Sequence, residues 1–162
     1  MATVSRRLVI DASIASAAGL SMNPDSRRCR EFLQAVLRIS HRATMTPLLR
    51  EEWNRHQSLF ARLWLAEMTS KAKVEAIADI PNEDLRAEAP GTVSAQKDLH
   101  LIEAALATDK IVISLDARAR AELSVQAAAE VMWIHPVDEG GHVIYWLNKG
   151  AEPVEAWKLG VR

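Results

Sequence analysis

The chain has 162 residues, a formal net charge of −1 and a composition that is 49% hydrophobic and 25% charged, which is that of a soluble globular protein with one core of ordinary size. No apolar run approaches the roughly 20 residues that span a bilayer, and a single cysteine excludes an internal disulfide. Near neutrality gives no global pull toward nucleic acid, although residues 1–70 carry ten Lys and Arg against six Asp and Glu, and residues 71–162 carry ten against fifteen. Met1 to Arg7 is too short for a signal peptide and Asp11 interrupts the only apolar stretch near it, so a cytoplasmic protein is expected.

Arg7 to Ile10 reads as the first strand, followed by a short helix from Asp11 through Ala18 that Gly19 closes in a left-handed position. Pro24-Asp25-Ser26 starts the next helix, with Asp25 or Ser26 as N-cap, and it runs to about Ser40. Its apolar face carries Cys29, Phe32, Leu33, Val36 and Leu37, which makes the lone thiol a core residue; Arg27, Arg28, Arg30 and Arg38 line the other face. Ala43-Thr44-Met45 is a second short strand. Thr46 then caps a long helix that begins at Pro47 and reaches about Thr69, with Trp53, Phe60 and Trp64 as a packing stripe.

Lys71 to Ala89 reads as one or two short helices broken at Pro81, and Pro90-Gly91 punctuates the chain before a helix with Asp98 at or near its start. A short turn leads from that helix to a buried strand, Ile111-Val112-Ile113. A helix from Arg118 to Ala129 and a last strand, Val131 to Ile134, complete the pattern. Gly140-Gly141 marks a turn, and the remaining tail, with Trp146 and Trp157, shows no clear period. With right-handed crossovers this order builds a parallel sheet covered by helices on both faces.

Ligands of such sheets sit at the carboxyl ends of the strands, where Asp11 and Asp116 each follow a strand directly or nearly so. Asp11, Asp98 and Asp116 each have a plain explanation as N-caps, and the macrodipole accounts for one of Glu51 and Glu52 at a helix start. Jointly they ask for more, since neighbouring strand ends would bring them within several ångströms of one another. Like charges about 4 Å apart repel by about 4 kcal/mol at an effective dielectric near 20, so a converging set needs protons or a cation. Oxygen-only ligands suit Mg²⁺ or Mn²⁺, and the five histidines show no zinc spacing. Dinucleotide, P-loop and serine-hydrolase motifs are absent, and Ser13 stands where a phosphoaspartate hydrolase would have a second Asp.

Val9-Ile10-Asp11-Ala12-Ser13, Thr46-Pro47-Leu48-Leu49-Arg50-Glu51-Glu52-Trp53, Asp98 to Leu106 and Ile113-Ser114-Leu115-Asp116 together resemble the PIN-domain nucleases, over roughly residues 7–136. The resemblance implies a three-layer α/β/α sandwich with a central parallel sheet of about five strands. It also implies a nuclease domain over residues 1–136, with residues 137–162 as an extension packed on it. The family's four acids fall on Asp11, Glu52, Asp98 and Asp116, as ligands of one or two Mg²⁺ or Mn²⁺ ions and the catalytic set of a ribonuclease. Glu52 is preferred to Glu51 because Trp53 follows it. Ser114 and Glu51 are supporting residues; Arg118, Arg120, Arg55 and Lys97 are candidate RNA contacts, with His56 and His100 beside them.

The chain departs from the family where Ala117 and Arg118 follow the fourth acid in place of a further carboxylate. The family's activity implies RNA as a partner; the commonest role of small bacterial members, the toxin of a toxin–antitoxin pair, implies a small antitoxin protein that plugs the acidic site; and the homodimers common in the family imply a second copy docked through the helix from Pro47 to Thr69. Two rivals are a catalytically inactive PIN-like module that binds RNA or protein, and a DNA flap nuclease, which would need an arch and further acids.

Overall fold

Short apolar and β-branched runs form the strands, and in the computed structural model, which describes residues 4–139 and 141–160, they assemble into one sheet. The strands are β1 (Arg7–Ile10), β2 (Arg42–Met45), β3 (Val74–Ala76), β4 (Ile111–Ile113) and β5 (Met132–Ile134). All five are parallel, in the spatial order β3-β2-β1-β4-β5. Central β1 pairs Leu8 with Ala43 on one side and Val9 with Val112 on the other. Its apolar residues are buried from both faces, as a parallel sheet requires.

Among the described residues eight α-helices surround the sheet: α1 (Ala12–Ala17), α2 (Pro24–Arg38), α3 (Pro47–His56), α4 (Leu59–Ser70), α5 (Glu83–Glu88), α6 (Val93–Leu106), α7 (Ala117–Glu122) and α8 (Gly141–Asn148). The chain steps outward from β1 to β3, returns to β4 and steps outward again to β5. Right-handed crossovers therefore lay α1 to α4 on one face and α5 to α7 on the other, giving three α/β/α layers. No helix is long and apolar enough to cross a membrane among the described residues.

Several local expectations are corrected. Gly19 does not adopt a positive φ; its carbonyl is taken instead by the Ser26 hydroxyl at 3.1 Å and by the Arg30 guanidinium. Helix α2 starts earlier than expected, because Asn23 is the N-cap and accepts from the Ser26 amide at 2.8 Å, with Pro24 at the first position. The expected single helix from Pro47 is two. Gln57 is extended, and Ser58 caps α4 while its amide and hydroxyl donate to the Ala15 and Ala18 carbonyls, so contacts with α1 set the break. Trp53 and Trp64 still meet, stacked at 5.8 Å.

The segment after Lys71, expected to be helical, contains the edge strand β3. Ala72 turns the chain with φ at 56°, and the Lys73 ammonium donates to the Val36, Leu37 and Ile39 carbonyls at the end of α2. Thr92 caps α6, which puts Asp98 in the second turn and not at the helix start. Helix α7 ends at Glu122, where the Ser124 hydroxyl donates to the Arg120 carbonyl, and only a 3₁₀ turn at Gln126–Ala128 follows.

Gly140 lies outside the described residues, as do Met1 to Thr3. Gly141 begins α8, so the tail has a regular element after all. Trp146 and Trp157 pack edge to face at 5.3 Å, and Leu147 is buried. The Leu159 amide bonds the Val131 carbonyl at 2.9 Å, while Gly160 lies so close to Ala129 that an added Cβ would meet its Cβ at 2.8 Å. Cys29 is buried in the core, and burial pushes its thiol up to about 12.

Candidate functional site

The strand order reverses between β1 and β4, so the connections leave these neighbours toward opposite faces and a crevice opens at their carboxyl ends. Asp11 follows β1 and Asp116 follows β4 after Ser114 and Leu115. Two hydroxyls tie them together. Ser114 Oγ donates to Asp11 Oδ2 at 2.8 Å and accepts the Asp116 amide at 3.0 Å; Ser13 Oγ donates to the same oxygen at 2.8 Å and accepts the Leu115 amide at 3.1 Å.

The capping explanation holds for one acid of three. Asp116 Oδ1 accepts the Ala119 amide at 2.9 Å. Asp11 occupies the N-cap position of α1, yet its side chain makes no capping bond. Asp98, inside α6, caps nothing.

Glu52 comes to the same crevice from α3. That helix is anchored by Trp53, fully buried, whose indole N–H donates to the Ile10 carbonyl at 2.8 Å, one residue before Asp11. Glu52 Oε1 accepts from His100 Nε2 of α6 at 3.0 Å. Burial opposes charge on this glutamate, but the His100 bond, with Lys97 and His56 nearby, holds its carboxyl below the ordinary value. Burial likewise opposes charge on His100, and the bond and charge of Glu52, with Asp98 and Asp11, raise it above the ordinary histidine value. Glu51 does not join the set; it is exposed and pairs with Arg55 at 2.7 Å.

Asp98 is only 1% exposed, and neither of its carboxylate oxygens has a hydrogen-bond donor. Burial first, and then the charge of Asp11 and the nearness of Asp116, push its carboxyl up to about 7, against the opposing pull of Lys97. A buried carboxylate without a donor is costly unless it is protonated or meets a cation.

An open cleft of about 420 Å³ is lined by Asp11, Ser13, Ser16, Glu52, Arg55, His56, Lys97 and Asp116; Asp98, buried, is not among its lining residues. An adjoining hollow of about 550 Å³ shares Lys97 and Asp116 and adds Thr92, Ser94 and Arg118. Among the candidate RNA contacts, Arg55 and Lys97 thus line the cleft, and Arg118 lines the hollow while lying 3.5 Å from Glu122. Arg120, half-buried on the same helix, lines neither.

Among the described residues, no group of three or more His, Cys, Asp or Glu side chains is arranged as a ready-made metal ligand set. The residue types fit a hard divalent cation on another ground: Asp11, Glu52 and Asp116 bring carboxylate oxygens to the cleft, and the buried Asp98 carboxylate, close enough to feel Asp11 and Asp116, has both oxygens unpartnered. Two contacts are not legible in the sequence, although their residues are. Ser13 stands in the first motif with no role attached, yet a hydroxyl two residues beyond an acid at a helix start can reach back to it. The His100–Glu52 bond crosses 48 positions and leaves no local trace.

Comparison with models of known protein families gives no match, and no curated protein matches the sequence significantly.

Proposed function

We propose that the protein is a metal-dependent endoribonuclease of the PIN kind, in which Asp11, Glu52, Asp98 and Asp116 hold Mg²⁺ or Mn²⁺ in the crevice between β1 and β4. The observation that carries this reading is the buried, donorless Asp98 carboxylate beside Asp11 and Asp116 at the switch point of the sheet. A bound Mg²⁺ or Mn²⁺ supplies Lewis-acid stabilisation of phosphoryl oxygens and activates water for attack.

The chain's own groups do the rest. Ser13 and Ser114 fix Asp11 through Oδ2, and the α7 amide fixes Asp116 through Oδ1, so each acid is oriented through one of its two oxygens. Arg55, His56 and Lys97 on the cleft wall offset the charge of an RNA backbone drawn in beside four acids. A cytoplasmic setting, the toxin role, a small antitoxin partner and a homodimer extend the same proposal from the resemblance of the motifs.

The test is cleavage of a mixed single-stranded RNA by purified protein with Mg²⁺, with Mn²⁺ and with chelator, beside Asp116→Asn prepared identically. Metal-dependent cutting, reduced at least about 100-fold in the variant, is the expected result. Equal behaviour of the two proteins would refute the nuclease, and RNA binding without cutting would then identify an inactive binding module.

A further inference from the structure

Two buried histidines in this chain use their rings differently. His41 bonds through both nitrogens: Nδ1 accepts the Arg6 amide at 3.1 Å and Nε2 donates to the Leu147 carbonyl at 2.8 Å, so it joins the strand starts to α8. His100, 9% exposed, bonds only through Nε2, to Glu52 Oε1 at 3.0 Å, and its buried Nδ1 has no partner. The fold makes one polar demand on this imidazole, and that demand comes from Glu52.

Glu52 needs such a hold. It projects from α3 on a flexible side chain into a cleft whose wall also carries Arg55, His56 and Lys97, any of which attracts a free carboxylate. His100 is the member of the pair that does not move. It sits in α6, which is buried without interruption from Asp98 to Ala105, two residues beyond the donorless Asp98.

We propose that His100 is a positioning residue that acts through Glu52: it retains Oε1 against α6, away from the cations of the cleft wall, and leaves Oε2 as the oxygen offered to a divalent cation beside Asp98. One helix then supplies an acid of the site and the clamp on another, which locks α3 to α6 across the mouth. This inference rests on the reading of the crevice as a metal centre, and outer partners of this kind typically change metal affinity 10- to 100-fold.

The test measures Mn²⁺ binding directly, by electron paramagnetic resonance and calorimetry, for the whole chain and for His100→Gln, His100→Asn, His100→Leu, Glu52→Gln and Glu52→Gln/His100→Leu. Gln places a nitrogen near the position of Nε2, whereas Asn and Leu do not. His100→Gln is expected to keep Mn²⁺ affinity within about threefold, while His100→Leu and His100→Asn lose roughly 10- to 100-fold. The double variant is expected to bind no more weakly than Glu52→Gln alone, since His100 works through that glutamate. In RNA cleavage His100→Leu and His100→Asn should need more Mn²⁺ for half-maximal rate while His100→Gln does not, with the KM for RNA unchanged in all three.

Melting curves in chelator identify any variant that fails to fold; if His100→Leu fails, the Gln–Asn contrast decides. Equal Mn²⁺ affinity in wild type and the folded His100 variants would overturn this inference and leave the metal centre standing. Absence of Mn²⁺ binding by the wild type would overturn both.

Discussion

The two ends of the sheet treat charge in opposite ways. Where the strands begin, charges meet partners: Arg7 binds Asp109 through its amide at 2.7 Å and its guanidinium at 3.0 Å, and Glu75 lies 3.5 Å from Arg7 and 3.3 Å from Arg42. The Asp109 carboxyl, although burial opposes its charge, is held low by Arg7 and Arg6. Where the strands end, Asp98 has no donor on either oxygen and is raised by neighbours of its own sign. One end of the sheet thus sets opposite charges against each other, although Arg42 Nε and Glu75 Oε2 there keep no hydrogen-bond partner, while the other gathers charges of one sign around a buried carboxylate.

The largest expected break of this contrast is Asp98→Asn. The Asp98 carboxyl is raised above its unfolded value, so wild type in chelator carries a penalty that is absent near pH 4 and grows as pH rises to about 7, then stays constant. The variant removes that penalty. It should melt higher than wild type at pH 8 in chelator, by an amount on the order of 1–3 kcal/mol, with the difference vanishing near pH 4, while metal-dependent RNA cleavage falls at least about 100-fold. Equal melting at pH 8 would show that Asp98 is not strained.

At the strand-start end the sign reverses. Burial, with Lys73 and Arg6 nearby, outweighs the Leu147 carbonyl and holds the His41 imidazole below its ordinary value. Its contribution to stability is therefore present above about pH 6.5 and lost as pH falls through the lower folded value. Acid melts from pH 7 to pH 5 should cost wild type about 1 kcal/mol more than His41→Gln, which cannot titrate. Parallel curves would remove His41 from the acid-sensitive groups.

The smallest effect sharpens the choice between adjacent glutamates. Glu51 is exposed and makes a surface pair with Arg55, so Glu51→Ala should change stability by less than about 1 kcal/mol and leave cleavage within about twofold, as steady-state rates at saturating Mn²⁺ would show. A large loss would mean that Glu51 positions Arg55 in the cleft.

Much of the fold could be read from local signals. The apolar run at Leu8–Ile10, the β-branched run at Ile111–Ile113, the Thr46-Pro47 start and the apolar stripe of α2 all stand in the structure as expected. What failed was short or was decided at a distance. Three residues, Val74–Ala76, have no period to read in a Lys- and Ala-rich segment, and become a strand because β2 offers an open edge to pair with. The break at Gln57–Ser58 depends on carbonyls of α1 some forty residues upstream.

The same division runs through the site. The sequence by itself determined which acids follow buried strands, because a strand end and a carboxylate are both local facts: Asp11 and Asp116 were visible there. Only the tertiary structure decided that Asp98 lies inside its helix without a donor, that Ser13 and Ser114 hold Asp11, and that Glu52, not Glu51, meets His100. Hydrogen-bond satisfaction and burial are properties of the packed chain. A carboxylate acquires its chemistry from what the other elements bring beside it, or fail to bring.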